Sequence, residues 1–200
     1  MAINLDRSKI LETARQQFAK LGLKKTSLSD ITRPLGVGKT AIYHHFPGGK
    51  SELMEAVMHQ EEESILTHMR AAILSESDPR NQFRAMIISK ITDGQRLKEL
   101  LDVPRDVGEE IALIYADRQL SYNRKELDLI KGIIESGVEK KIFFSPDPLR
   151  LASVLQAIMR NMEMTLVFEM SPEEMKQLLN DLLDIIFNGI LVASEKNRKG

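Results

Sequence analysis

Residues 26–50 constrain this chain more than any other stretch. Gly36 and Gly38, and then Pro47, Gly48 and Gly49, leave room for two helices of about two turns each. Ser27 and Asp30 stand three apart as a capping box, which opens a helix over 28–35. Gly36-Val37-Gly38 forms a turn, with Gly38 as the N-cap of a second helix over 39–45. Two helices this short need a third to pack against. Residues 7–21 supply it: Ile10, Leu11, Ala14, Phe18 and Leu21 make one stripe, and Gly22 sits where a C-cap belongs. Ile42 and Phe46 are expected in the core of this small head.

The second short helix carries Lys39, Thr40, Tyr43, His44 and His45, with Lys50 just beyond it. A short cationic and aromatic helix held on a small core is the kind of surface that reads DNA. Charge points the same way. Residues 1–50 hold nine Lys/Arg against three acids, a net +6, so the remaining 150 residues carry −7. A basic head on an acidic body implies that the head alone meets a polyanion.

Nearly everything after Lys50 also reads as helix, so the expected class is all-α. A long helix over 50–75 follows the Pro47-Gly48-Gly49 break. Asp78-Pro79, Asp147-Pro148 and Ser171-Pro172 each place an N-cap before a proline at the first helical position. Helices over 79–92, 106–136 (broken), 148–169 and 172–194 are expected, with room for one more short helix in 93–105. Val138–Phe144 has strand character but no partner strand and reads as a turn. The helices over 148–169 and 172–194 are apolar on more than one face, which supplies an intermolecular face as well as a core. The tail from Ser194 reads as frayed.

Absent residue types exclude several chemistries. The 200-residue chain has no cysteine, hence no disulfide or thiolate metal site. Its N-terminus lacks a signal-peptide apolar region, and no apolar run approaches the roughly 18 residues of a membrane span, so a soluble, cytoplasmic protein is expected. His44 and His45 are adjacent on a helix, about 100° apart, and cannot chelate one ion together. His59 with Glu62 or Glu63 has chelate spacing, but that acidic run reads as a solvated face. No metal and no cofactor is expected. Gly48-Gly49-Lys50-Ser51 has the ending of a phosphate loop without its upstream glycine or strand. With no Ser/His/acid set either, an enzyme is not expected.

The first 65 or so residues resemble the TetR family of bacterial transcriptional regulators. The matching residues are Ile10, Leu11, Ala14, Phe18 and Gly22, then Thr26, Asp30, Ile31, Gly36 and Val37, then Ile42-Tyr43-His44-His45-Phe46, Lys50 and Leu53. Thr32 stands where the family usually has alanine, and Gly38 where serine commonly caps the recognition helix. Pro34 removes one hydrogen bond late in a short helix. Pro47-Gly48-Gly49-Lys50 is one residue longer than the commonest form and resembles one subset of the family, that with a Tyr-His-His-Phe-Pro-Gly-Gly-Lys ending.

The resemblance implies a helix-turn-helix head over 4–64, its motif near 27–46, and a helical effector-binding and dimerisation body over 65–200. Residues 39–45 would enter the major groove. Lys39, Thr40, Ala41 and His44 would reach bases; Tyr43, His44 and Lys50 would lie along the backbone, with Thr26 and Ser27 offering hydroxyl and backbone N–H groups to phosphate, and His45 would be a further DNA-binding residue. The expected function is a homodimeric repressor, paired through its last two helices and released from an inverted-repeat operator by a small, mainly apolar effector. The alternative is a constitutive DNA-binding architectural or adaptor protein whose body binds a protein. Polar residues embedded in the apolar helices of the body are the effector candidates: Tyr115, Tyr122, Gln156 and Asn161, with Met159 beside them, and Asn123, Arg160 and Glu163 nearby. Each is equally explained by an internal or exposed polar group. Ten methionines suit an adaptable cavity or a plastic core.

Overall fold

The computed structural model describes residues 6–101 and 120–190. Every regular element among them is a helix: α1 (Arg7–Leu21), α2 (Leu28–Leu35), α3 (Lys39–His45), α4 (Gly49–Leu74), α5 (Pro79–Leu100), α6 (Leu120–Glu139), α7 (Pro148–Phe168) and α8 (Pro172–Ile190). The starts follow the expected chemistry. Asp147 accepts a hydrogen bond from Arg150 N at 3.0 Å, and Ser171 with Glu174 closes a reciprocal box. Asp78 accepts from Arg80 N at 2.8 Å.

Sequence and structure part at α5. The helix expected to stop at 92 runs to Leu100 through Asp93 and Gly94. Glycine in a helix interior costs about 1 kcal/mol relative to alanine. Here close packing offsets that cost: a Cβ on Gly94 would lie 3.0 Å from Val167 Cγ2. The next residue, Gln95, is buried and donates through Nε2 to Leu166 O at 2.8 Å and Met170 O at 3.1 Å. Of the helix expected over 106–136, the described part is α6, which continues to Glu139. The segment after it is a turn: Ile142 N and Phe143 N both donate to Gly137 O, and Phe143 stacks on Phe187 with ring centroids 5.9 Å apart.

The described residues separate into two units. One holds residues up to Ser64 together with Arg96–Leu101; the other holds Ile65–Gln95 and the residues from Leu120 onward. α4 and α5 each contribute to both, so the end of α5 counts with the head rather than with the body. The first unit has its own core of Ile10, Leu11, Ala14, Phe18, Leu23, Ile31, Leu35, Ile42, Phe46, Leu53, Val57 and Leu101. Leu23 N donates to Leu101 O at 3.3 Å, which ties the end of α5 into this unit. The core of the second unit is larger and built on Phe83, Met86, Ile87, Ile130, Ile134, Leu155, Met159, Leu179 and Leu183, among others.

Candidate nucleic-acid interface

The orientation of α3 follows from two residues. Ile42 and Phe46 are fully buried, and at about 100° per residue the positions two before each, Thr40 and His44, point the opposite way. Both are exposed, as are Lys39 and Tyr43 on the flank; Ala41 and His45 on the other flank are half-buried. Neither the Lys39 nor the Thr40 side chain makes a hydrogen bond or ion pair with another described residue. The His44 and His45 rings meet edge to face at 5.1 Å. Among the described residues no group of three His, Cys, Asp or Glu is placed to hold a metal ion.

The supports beneath α3 are equally local. Arg7 places its guanidinium 4.7 Å above the Phe46 ring, a cation–π contact that joins α1 to the end of α3. Gly49 has φ +64°, in the left-handed region, and a Cβ there would lie 3.0 Å from the Tyr43 ring. The residue is glycine because the backbone turns where the tyrosine packs. Gly48 N donates to Glu52 at 2.8 Å, capping α4. Arg15 of α1 pairs with the buried Glu61 of α4. Ser27 and Asp30 form the expected capping box at the start of α2.

Lys50 donates from Nζ to Lys24 O at 3.1 Å, which fixes its ammonium beside the turn before α2. Partial burial holds its pKa below the ordinary lysine value. Thr26 differs from expectation. It is buried, its hydroxyl donates to Gly22 O at 2.8 Å and Gln17 O at 3.2 Å, and its N–H donates to Gly22 O. A hydroxyl used inside the fold is not offered to a phosphate; Thr26 instead holds the turn between α1 and α2. Ser27 is exposed but engaged with Asp30, its N–H and hydroxyl both bonded to Oδ2.

In the second unit, Tyr115 lies outside the described residues. Tyr122 and Gln156 meet at a buried ionic cluster whose centre, Lys90, the sequence reading missed. Lys90 Nζ is 2.7 Å from Glu126 and 2.9 Å from Glu163, with the Tyr122 ring centroid at 5.9 Å. Gln156 Nε2 donates to Glu126 Oε2 at 2.9 Å and Asn123 O at 2.8 Å. Burial by itself favours the neutral amine, but Glu163 and Glu126 outweigh it and raise the Lys90 pKa above the ordinary value, so the ammonium persists. Met159 belongs to the apolar core. Asn161 is a correction: it is exposed and donates to Ala157 O of its own helix at 2.7 Å. Lys90 and Glu126 had a signal in the sequence, because each occupies a core register, Lys90 with Phe83, Ile87 and Ile91, and Glu126 with Ile130, Ile133 and Gly137.

Comparison with known proteins agrees with the geometry of the head. Residues 10–57 match the model of the bacterial regulatory proteins of the tetR family. The chain is 32% identical over 154 residues to a probable acrEF/envCD operon repressor of Escherichia coli, covering 76% of this chain and 61% of that protein. It is 31% identical over 137 residues to the transcriptional regulator TtgR of Pseudomonas putida, covering 64% and 61%. The chain thus spans about three fifths of the length of these relatives. A transcriptional regulator from Cytophaga hutchinsonii has the same fold, with a TM-score of 0.76 at 23% identity over 92% of this chain and 98% of that one. So does a tetR-family regulator from Pectobacterium atrosepticum, with a TM-score of 0.73 at 20% identity over 94% and 95%. With an outward-facing α3 on a three-helix head, residues 10–57 thus match the bacterial regulatory proteins of the tetR family, and the described fold is the one seen in regulators of that family.

Proposed function

We propose that this chain is a transcriptional repressor that binds an inverted-repeat operator as a homodimer and is released by a small, mainly apolar effector; its place is the cytoplasm and it is not an enzyme. The observation that carries this reading is α3, whose anchors Ile42 and Phe46 are buried while Lys39, Thr40, Tyr43 and His44 face outward. Lys39, Thr40, Ala41 and His44 read base edges. Tyr43, His45, Lys50 and Ser27 serve the phosphate backbone, which positions the protein without specifying sequence. The head comprises residues 4–64 together with the end of α5, Arg96–Leu101, and the effector-binding body the rest of 65–200. The Tyr-His-His-Phe-Pro-Gly-Gly-Lys ending resembles that of one subset of the family, and we assign the chain there on that resemblance.

Dimerisation through α7 and α8 is supported by their outer faces. Leu149, Val154 and Ile158 stand exposed on α7. On α8 the stripe Met175, Leu179, Leu183 and Phe187 is buried and Leu178 and Leu182 pack partly against the same core, while Ile185 stands 71% exposed. Exposed apolar side chains of this size on α7, with Ile185 on α8, call for cover that a second copy provides. Two heads then span half-sites roughly 34–36 Å apart, or a multiple of that. An effector in the body coupled to the head by about 1–3 kcal/mol changes operator affinity roughly 5–150-fold.

The test is selection of binding sites from random-sequence DNA by the full chain at near-physiological salt. Enrichment of an inverted repeat with fixed half-site spacing is the expected result. Enrichment of a single half-site argues against the dimer. No enrichment from a folded protein argues against sequence-specific regulation and turns attention to a protein-binding body.

A further inference from the structure

We propose that the cluster around Lys90 is the point at which the body recognises a ligand carrying a positive charge, an amine or quaternary ammonium on an apolar frame. This rests on reading the body as an effector-binding domain and narrows the chemical class of the effector.

Packing gives no reason for the cluster. Lys90 and Glu126 are 3% and 1% exposed, and a buried ion pair seldom adds stability over an apolar pair of the same volume. Its composition is also unbalanced. One ammonium faces two carboxylates, and Glu126 and Glu163 meet no second cation among the described residues. Glu126 Oε1 accepts no aligned hydrogen bond among them, although Nζ lies 2.7 Å away.

The surplus negative charge has a direction. Glu126 is fixed from behind by Gln156. Glu163 is 38% exposed, so it is the carboxylate of the cluster that a ligand reaches, with the half-buried Tyr122 ring beside Lys90. A carboxylate and the face of an aromatic ring both attract a cation. A ligand ammonium reaches them without displacing Lys90 and brings the local charge to zero. A ligand anion would deepen the imbalance or have to evict Glu163. Met159 and Met162, one turn and one residue before Glu163 on α7, are buried and half-buried. Flexible thioethers there adapt to an apolar frame.

Two probes of nearly the same size and shape and opposite charge, tetraphenylphosphonium and tetraphenylborate, test the sign directly by calorimetric titration of the full chain. The expected result is about tenfold tighter binding of the phosphonium, the order of one desolvated cation contact. Glu163→Gln should lower phosphonium affinity about tenfold and leave borate affinity unchanged or higher. Tyr122→Leu should lower it by a smaller factor, and thermal unfolding of both variants checks that they fold. Tighter borate binding, no binding of either ion, or phosphonium binding indifferent to Glu163→Gln overturns the proposal. Operator release separates the two readings. If borate or neutral apolar compounds release operator and phosphonium does not, the effector reading survives without the cation. If no compound of any charge changes operator affinity, both readings fall.

Discussion

In α3 the anchors Ile42 and Phe46 lie inside and the charged and aromatic residues fill the other positions; in α5 a charged residue occupies the anchor register itself, with Phe83, Ile87 and Ile91 around it. The head thus keeps most of its ionic groups at the surface, Arg15–Glu61 being the inward exception. The body encloses Lys90 and Glu126 and balances them against each other. An exposed charge is inexpensive and free to meet a polyanion, whereas an enclosed one must be satisfied on the spot. The difference teaches where to look for function: on the outside of the first unit and on the inside of the second.

The largest effects should come from breaking each interior. Lys90→Met leaves Glu126 enclosed without its cation and should cost about 3–5 kcal/mol in denaturant unfolding. Adding Glu126→Leu should recover most of that loss, since paired apolar replacements of a buried ion pair are often neutral or better. Equal stability of the single and double variants would mean the cluster is wetter than its burial indicates. In the head, Phe46→Ala should cost about 3–5 kcal/mol and remove the Arg7 contact with it.

Changes at Lys39 should leave stability alone and move DNA binding, while Lys50, bonded to Lys24 O, should move DNA binding with a small loss of stability. Lys39→Ala should cost about 1–3 kcal/mol at one base position of the selected operator. Lys50→Ala should weaken all sequences alike and flatten the salt slope by about one unit. Reversed behaviour in a binding assay across salt would mean that α3 docks differently. Thr26→Val sharpens the contrast from the other side. Its hydroxyl faces inward, so about 1 kcal/mol of stability should go while the salt slope stays the same.

The smallest effect is one of pH. Asp78 accepts from Arg80, whose side-chain hydrogen bond lowers the carboxylate pKa from 3.8 to about 2. The folded value lies below the unfolded one, so the pair stabilises fully above about pH 4 and loses its effect as pH falls towards 2. Being at the surface, it should be worth about 1 kcal/mol or less. Unfolding midpoints of Asp78→Asn should show a shallower fall across that window than the parent.

The head was legible in the sequence because its signals are local. Ser27 with Asp30, Gly36, Gly38 and the Pro47-Gly48-Gly49 break each act within a few residues, and the 3.6-residue repeat then determined which face of α3 turns outward. Gly94 misled for the same reason: locally it weakens a helix, and only the approach of Val167, more than seventy residues away in sequence, makes its small size an asset. Thr26 could not be assigned from sequence, since a threonine before a helix serves a phosphate or a carbonyl equally well. What the sequence by itself determined was where most of the described helices begin, the charged head and its likeness to the tetR family. What tertiary structure alone decided was which polar residues are enclosed together, as Lys90, Glu126, Gln156 and Glu163 are. Long-range pairing of buried charge depends on how three helices pack, and no spacing along the chain encodes it.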